Sequence, residues 1–218
     1  MRTYLRPADL PQLIPIFPLD GAILLPGGEL PLRIFEPRYL NMVDDAMAEN
    51  RVIGMIQTKI GGEITRPRLA DVGCVGRITS YAETSEGSYL ITLTGVCRFR
   101  PAEELPINAP YRQVRARYDD FTGDLTDEGA EPADPDRQRF AAALKRYLNR
   151  RELDIDWNSV GEAPVEALVI SLAMGLPFTP AEKQALIEAE DLVRRFQALT
   201  ALLEIDAMDG DDEPQPLQ

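Results

Sequence analysis

The sequence predicts an α+β fold in which a strand-rich half precedes a helical half. Between residues 13 and 118, short apolar runs are separated by prolines and glycines, which is typical of strands joined by turns. From residue 137 to 205, apolar residues instead recur every three or four positions, which indicates amphipathic helices. We therefore expect four segments, namely a strand subdomain (1–118), an acidic linker (119–136), a helical subdomain (137–205) and an acidic tail (206–218).

The net charge of −13 is concentrated in two segments. Residues 119–136 hold eight acidic residues and residues 204–218 hold six, and neither segment contains a basic residue. The rest of the chain has 22 acidic and 23 basic residues, so its charge is close to zero. We interpret both segments as solvated spacers that proteases should cleave first. Docking of a basic partner is the alternative, and the spacing of the acids does not fit a calcium loop.

The N-terminal region and the cysteine content predict a cytoplasmic protein without a membrane segment. Prolines interrupt the apolar residues near the N-terminus, and no later stretch approaches the length of a membrane span. Two cysteines in 218 residues do not form a disulfide framework, which agrees with a reducing compartment.

The strand half contains one predicted helix. Residues 30–35 alternate apolar and polar side chains, which favours a half-buried strand. Glu36 and Pro37 follow, and apolar residues at helical spacing then continue to about Asn50, so we expect a helix that begins at Glu36. Residues 52–58 predict another strand, and the glycines and charges after it predict a long connection with a mobile tip.

Residues 72–99 predict a β-hairpin around a turn at 84–88. A two-residue loop at Ser85 and Glu86 would pair positions whose numbers sum to 171. That register places Ile78 opposite Leu93, Gly76 opposite Gly95 and Cys74 opposite Cys97, all on one face. We interpret the two cysteines as small reduced core residues, with a disulfide as the alternative. Residues 111–118 predict a further strand.

The helical half contains several start signals. Asp134 and Pro135 precede an apolar stripe that includes Phe140 and Leu144. A second helix should start at Pro164 and end at Gly175. Residues 179–182, Thr-Pro-Ala-Glu, predict a capping box, after which apolar residues from 192 to 203 form a packing seam.

The sequence offers little support for catalysis. Histidine is absent, which excludes Ser-His and Cys-His nucleophilic catalysis and histidine metal sites. No GxxxxGK[ST] phosphate loop and no GxSxG nucleophile elbow occur, and no lysine lies in a recognisable serine context. We therefore predict that the protein is not an enzyme and that it binds no cofactor and no metal.

Several motifs resemble the N-terminal, substrate-binding domain of the Lon protease family. They are IPIFPL at 14–19, LLPGGELPLRIFEPRY at 24–39, DVGCVGRI at 71–78, LTGVCRFR at 93–100 and the helical segment at 171–204. The resemblance spans roughly residues 12–205 and implies a PUA-like β-barrel with an inserted helix, followed by a C-terminal helical bundle. In the full proteases this domain helps to recognise unfolded or tagged substrates and to assemble the ring. We expect a free-standing form without the ATPase and peptidase domains.

The resemblance implies a polypeptide-binding module, an adaptor in protein quality control or proteolysis whose partner is a protease or a chaperone. Homo-oligomerisation stays open. Our candidate substrate-binding residues are Arg33, Glu36, Arg38 and Tyr39, on the rim of a concave surface between barrel and bundle. The alternative for the charged residues of this set is a local network that holds the strand to the helix.

RNA binding is the second candidate function, because PUA-like barrels of other families bind RNA. Arginines cluster in the strand half, at Arg66, Arg68, Arg77, Arg98, Arg100, Arg112, Arg115 and Arg117. The acidic linker and tail oppose this function, since phosphate binding requires a basic field. Nucleic acid is therefore not the expected partner.

Overall fold

The computed structural model describes residues 4–63, 66–106, 108–126 and 136–208. The chain divides into two compact units. The strand unit comprises Met1–Gly129 and Met174–Glu188, and the helical unit comprises Ala130–Ala173 and Ala189–Gln218.

The described residues form eight strands and six α-helices. The strands are β1 (Leu13–Pro18), β2 (Glu29–Ile34), β3 (Val52–Ile56), β4 (Thr58–Glu63), β5 (Arg66–Leu69), β6 (Gly73–Glu83), β7 (Tyr89–Glu104) and β8 (Arg112–Arg117). The helices are α1 (Pro37–Ala48), α2 (Arg137–Arg150), α3 (Trp157–Glu162), α4 (Val165–Gly175), α5 (Pro180–Glu188) and α6 (Leu192–Met208). The predicted α+β class is confirmed.

Six strands form one mixed sheet in the order β2-β7-β6-β3-β1-β8. β1 runs parallel to β3, and the other pairings in this sheet are antiparallel. The long strand β7 pairs with β2 and β6 through its first part and with β8 through its last part. The pairings among β7, β6, β3, β1 and β8 therefore make a closed cycle. Apolar side chains such as Ile14, Val75, Leu93 and Phe99 are buried in this unit.

Helix α1 lies where the sequence predicted the inserted helix. Glu36 is its N-cap residue and Pro37 occupies its first turn, where a missing N–H removes no intrahelical hydrogen bond. The buried residues of α1, which include Tyr39, Met42 and Val43, share one face. The prediction of a helix entered at Glu36 is confirmed, and the helix ends at Ala48.

The predicted β6–β7 hairpin is present, but its register is correct only in the middle. Ile78 pairs with Leu93 and Gly76 pairs with Gly95, as predicted. A register shift between Val75 and Gly76 then places Cys97 opposite Val75, so the predicted Cys74–Cys97 pairing is wrong. The turn also has three residues between Thr84 and Ser88, and Gly87 adopts a φ of 74° there. Both cysteines are buried free thiols.

The segment after β3 is a second hairpin, not the long connection that the sequence predicted. β4 and β5 pair antiparallel as a separate two-stranded sheet. Its glycines and charged residues hid the alternation of side chains that normally marks a strand. The centre of its tip, residues 64–65, lies outside the described residues.

The acidic segment begins as packed structure. Residues Asp119–Leu125 form a 3-10 helix in which Phe121 is buried. The prediction that a solvated linker starts at residue 119 is therefore wrong for this first part, because Phe121 supplies apolar surface and Asp124 binds a buried arginine. Residues 127–135 and the acidic tail beyond 208 lie outside the described residues.

Helix α5 belongs to the strand unit, although we predicted that it groups with the other C-terminal helices. Its predicted capping box is confirmed, since Glu182 accepts from the Thr179 N–H at 2.7 Å and donates its own N–H to the Thr179 Oγ1 at 3.3 Å. The Gln57 amide donates to the Pro180 carbonyl at 2.9 Å and anchors the start of α5 to the end of β3. Long-range anchors of this kind are invisible to helical periodicity.

The helical unit contains α2, α3, most of α4 and α6. Asp136 caps α2 by accepting the Arg139 N–H, and the residues predicted to open this helix, 134 and 135, lie outside the described residues. Phe140 of α2 and Phe196 of α6 stack with ring centroids 5.0 Å apart. The predicted single bundle over 137–205 stays a prediction. No helix among the described residues has both the length and the apolar character that crossing a membrane requires.

Candidate functional site

Arg33 lies on the exposed face of β2 and contacts the β6–β7 turn. Its guanidinium donates to the Glu86 carboxylate at 2.7 Å and to the Ser88 hydroxyl at 3.2 Å. Both partners are more than fifty residues away in the sequence. Arg33 therefore connects β2 to the turn of the β6–β7 hairpin. Its side chain is largely exposed.

Glu36, Arg38 and Tyr39 form a second, separate cluster at the start of α1. Arg38 donates to Glu36 at 2.9 Å, and its guanidinium carbon lies 4.6 Å from the centre of the Tyr39 ring. Tyr39 is buried and packs edge-on against Phe17, with ring centroids 4.2 Å apart. Burial raises the pKa of Tyr39, and the positive charge of Arg38 opposes this effect.

The four predicted site residues therefore form two local groups. Arg33 binds the hairpin turn, whereas Arg38 binds its near neighbour Glu36. Arg33, Glu36 and Arg38 have exposed side chains, but the Tyr39 ring is a core element that supports Arg38. Both groups lie within one short segment of the sequence, residues 33–39 of the strand unit.

Two exposed apolar side chains that were not among the predicted site residues accompany these charges. Phe35, directly after β2, is 68% exposed, and Leu90 of β7 is 46% exposed. Leu90 pairs directly with Arg33 on one side and with Ala82 on the other. We name the exposed face formed by Pro31, Arg33, Phe35, Ala82 and Leu90 the β2 surface. The sequence did contain one signal for this surface, because Phe35 is an apolar residue at a position where the alternation of residues 30–35 predicts an exposed side chain.

A polar cavity of about 360 Å³ lies elsewhere on the strand unit, between the β4–β5 hairpin and the ends of β7 and β8. Ion pairs occupy its wall. Glu104 accepts from Arg112 at 2.8 Å and from Arg66 at 2.6 Å, and these hydrogen bonds lower the pKa of Glu104. Arg112 also donates to the Pro67 carbonyl at 2.9 Å. These contacts fasten the hairpin to the sheet, and no cluster of three or more metal-ligating side chains occurs among the described residues.

Comparison with known proteins identifies the family. The model of the ATP-dependent protease La (LON) substrate-binding domain matches residues 13–204. The chain belongs to the Lon substrate-binding domain family. It is 30% identical over 207 residues to Lon protease 2 of Myxococcus xanthus, and that alignment covers 89% of this chain and 24% of the relative. Lon protease of Anaeromyxobacter dehalogenans is 26% identical, with 89% of this chain and 23% of the relative covered.

Solved structures share the fold. A Lon N-terminal domain protein from Xanthomonas campestris has a TM-score of 0.60 at 23% identity and covers 87% of this chain and 97% of its own. The N-terminal domain of a Mycobacterium avium complex Lon protease has a TM-score of 0.58 at 18% identity, with 88% and 97% covered. This chain spans about a quarter of the length of the curated Lon proteases it matches.

The arginine cluster that suggested RNA binding is largely neutralised in this Lon-family domain. Carboxylates pair with five of its eight members, which are Arg66, Arg98, Arg100, Arg112 and Arg115. Arg98 is also buried, so a phosphate cannot reach it without unfolding its surroundings. A nucleic acid would have to displace these carboxylates, which removes much of the electrostatic advantage.

Proposed function

We propose that this Lon-family domain is a non-catalytic module that binds unfolded or tagged polypeptides and acts as an adaptor in protein quality control or proteolysis. The observation that carries the proposal is the match of a substrate-binding domain over residues 13–204. The full relatives are several times longer, and their protease activity is no part of the proposal. The proposed partner that receives the bound polypeptide is a protease or a chaperone in the cytoplasm.

The β2 surface, together with Glu36 and Arg38, is the proposed polypeptide-binding site. Phe35 and Leu90 offer exposed apolar area, and burying such area against an unfolded chain contributes about 25 cal/mol per Å². Arg33 is held in place by Glu86 and Ser88, so its aliphatic stem is presented at little entropic cost. Tyr39 supports Arg38 from beneath.

Two finer features belong to the same proposal. The closed cycle of strand pairings supports a PUA-like β-barrel as the description of the sheet. Homo-oligomerisation is proposed by analogy with ring assembly in the family.

A titration tests the proposed ligand class. The protein is titrated with a permanently unfolded polypeptide, with the folded parent of that polypeptide and with single-stranded RNA, each at low and at moderate salt. We expect binding of the unfolded chain with a dissociation constant on the order of micromolar and little salt dependence, because apolar burial drives it. Tight RNA binding that weakens steeply with salt, without preference for the unfolded chain, contradicts the proposal.

Variants of the β2 surface test the site. Phe35→Ser combined with Leu90→Ser should weaken binding of the unfolded chain about tenfold, since ~1.4 kcal/mol of apolar burial corresponds to that factor. Ile60→Ser is the matched control, because Ile60 is an exposed apolar side chain of the same unit on the β4–β5 hairpin. Equal affinities of both variants and the unmodified protein would exclude the β2 surface.

Arg33→Ala with Arg38→Ala separates contact from support. Weaker binding with an unchanged unfolding temperature indicates that the two guanidinium groups contact the polypeptide. A fall in unfolding temperature instead supports the alternative, in which both arginines only hold local structure.

A further inference from the structure

Strand β2 is the outermost strand of the sheet. It pairs with β7 over Glu29–Ile34, and within the described part of the chain no strand pairs with its other side. The direction of its main-chain groups follows from the hydrogen bonds next to it. The Gly95 N–H donates to the Gly28 carbonyl at 2.8 Å, and the Gly27 N–H donates to the Gly95 carbonyl at 3.0 Å. The Gly28 carbonyl therefore points toward β7, while the Gly28 N–H donates to the Leu25 carbonyl at 2.9 Å in the turn before β2.

Main-chain direction alternates along an antiparallel strand. Leu30, Leu32 and Ile34 consequently direct their N–H and C=O groups toward β7, and Glu29, Pro31 and Arg33 direct theirs outward. The turn provides an independent check. The Thr84 N–H donates to the Ser88 carbonyl, so the main-chain groups of Ser88 point toward β6. Along β7, the main-chain groups of even-numbered residues therefore point toward β6, and those of odd-numbered residues, from Tyr89 onward, point toward β2. Both assignments agree.

The outward edge of β2 thus has three carbonyl acceptors, at Glu29, Pro31 and Arg33, and two N–H donors, at Glu29 and Arg33. Proline has no N–H, and an outward position on an edge strand is where a sheet tolerates it. The groups repeat every two residues, about 6.6–6.8 Å, which is the repeat of an extended polypeptide backbone. This alternation of donors and acceptors matches the backbone of another strand.

We propose that the outer edge of β2 binds an extended segment of an unfolded polypeptide as an added strand. The inference rests on the proposed function and specifies how its ligand is held. An added strand would set every second side chain on the β2 surface, beside Pro31, Arg33 and Phe35, whereas Leu90 lies one strand further in, on β7. Segments with apolar residues at alternate positions should therefore bind best.

Pro31 favours a foreign strand over a second copy of β2. In any antiparallel β2–β2 register that includes both prolines, two hydrogen bonds are missing because each copy lacks one N–H. A foreign segment without proline at that position loses only one. Pro31 therefore disfavours self-association through this edge and leaves transient binding of other chains available.

Two substitutions at one position test the role of the main chain. Arg33→Ala removes the guanidinium and its contact with Glu86 but keeps the outward N–H, whereas Arg33→Pro removes the N–H as well. A labelled short peptide of alternating valine and serine is titrated against both variants. We expect Arg33→Pro to bind roughly three- to tenfold more weakly than Arg33→Ala, the factor for one lost hydrogen bond. Equal affinity of the two folded variants overturns the proposal.

Peptide variants keep the test decisive if Arg33→Pro does not fold. Two peptides with identical side chains carry backbone N-methyl groups, one peptide on its valine nitrogens and the other on its serine nitrogens. In an extended strand, the valine and serine nitrogens point to opposite edges, so each peptide has one blocked edge. We expect one methylated peptide to lose about tenfold in affinity and the other to match the unmodified peptide. Equal behaviour of the two overturns strand addition. If the unmodified peptide and a permanently unfolded protein both fail to bind, the proposed function itself is wrong.

Discussion

Arg98 and Asp124 form a buried, bidentate ion pair in the strand unit. Their side chains are 4% and 9% exposed, and the guanidinium nitrogens lie 2.9 and 2.8 Å from the two carboxylate oxygens. The Arg98 backbone N–H also donates to Asp124 at 2.9 Å. A further guanidinium nitrogen donates to the Ile187 carbonyl of α5 at 3.2 Å. One arginine thus joins β7, the acidic segment and α5.

Asp124→Ala should destabilise the protein strongly. Removing one partner leaves the Arg98 charge buried without its carboxylate, which typically costs about 3–5 kcal/mol. Chemical denaturation followed by far-UV circular dichroism measures the change in the free energy of unfolding. Asp120→Ala is the control, because Asp120 pairs with Arg100 on the exposed surface and such pairs contribute about 0–1 kcal/mol. Similar losses from both variants would contradict a special role for the buried pair.

The same pair shows what composition could not predict. Eight acids without a base indicated a solvated linker from residue 119, although this segment also contains the apolar Phe121. The partner of Asp124 lies 26 residues earlier, and no local pattern connects the two positions. Local signals were reliable at these helix starts, since Pro37 marked the start of α1 and residues 179–182 marked the start of α5. Pairings across long separations were not.

Glu104 should make the stability of the strand unit sensitive to acid. The hydrogen bonds from Arg112 and Arg66 lower the pKa of Glu104 in the folded state. The ionised carboxylate therefore stabilises the fold above the ordinary glutamate pKa, and this stabilisation is lost as the pH falls through the lower, folded value. Glu104→Gln should be less stable than the unmodified protein at neutral pH, by about 1–3 kcal/mol.

The difference between the two proteins should shrink as the pH falls through the lowered pKa of folded Glu104, because the protonated carboxyl group is then as uncharged as glutamine. Denaturant midpoints at several pH values measure it. Glu103→Gln is the matched control, since Glu103 forms an exposed pair with Arg115 and should show little pH-dependent difference. A constant difference between Glu104→Gln and the unmodified protein across the pH range would show that the charge of Glu104 does not stabilise the fold.

The register of the β6–β7 hairpin marks a second limit of sequence reading. The two-residue loop placed Gly76 opposite Gly95 correctly, and register shifts on either side then changed the partners of Cys74 and of the residues nearest the turn. Shifts of this kind carry no compositional signal when both strands stay apolar. For the same reason the partners of Arg33 in the turn could not be predicted, although Arg33 itself was selected.

Gln57 should hold α5 on the strand unit. Its buried amide accepts the Gly21 N–H at 2.9 Å and donates to the Pro180 carbonyl at 2.9 Å and to Gln184 at 3.0 Å. Gln57→Leu leaves the Gly21 and Pro180 groups without this partner, at a cost of about 1–3 kcal/mol. Hydrogen exchange should show faster exchange of α5 amides. Gln138→Leu, on the exposed surface of α2, should leave α5 protection unchanged.

Gly95 should tolerate no side chain, because two segments of backbone meet there. A Cβ atom at this position would lie 2.0 Å from the Leu25 carbonyl oxygen and 2.7 Å from the Leu25 carbonyl carbon. The obstacle is main chain that is itself held by the hydrogen bonds between Gly95 and residues 27 and 28, so it cannot move without losing them. Gly95→Ala should therefore cost at least about 3 kcal/mol, at the upper end of overpacking effects.

Gly123→Ala provides the comparison for Gly95→Ala, since a Cβ at Gly123 has no atom within 4 Å and its φ is not in the left-handed region. We expect the free energy of unfolding of this variant to lie within about 0.5 kcal/mol of that of the unmodified protein.

Because Gly95 fixes the chain that enters β2, Gly95→Ala should also reduce polypeptide binding at the β2 edge. The reduction should follow the fraction of molecules that lose the β2–β7 pairing. Full binding by a strongly destabilised Gly95→Ala protein would place the binding site away from β2.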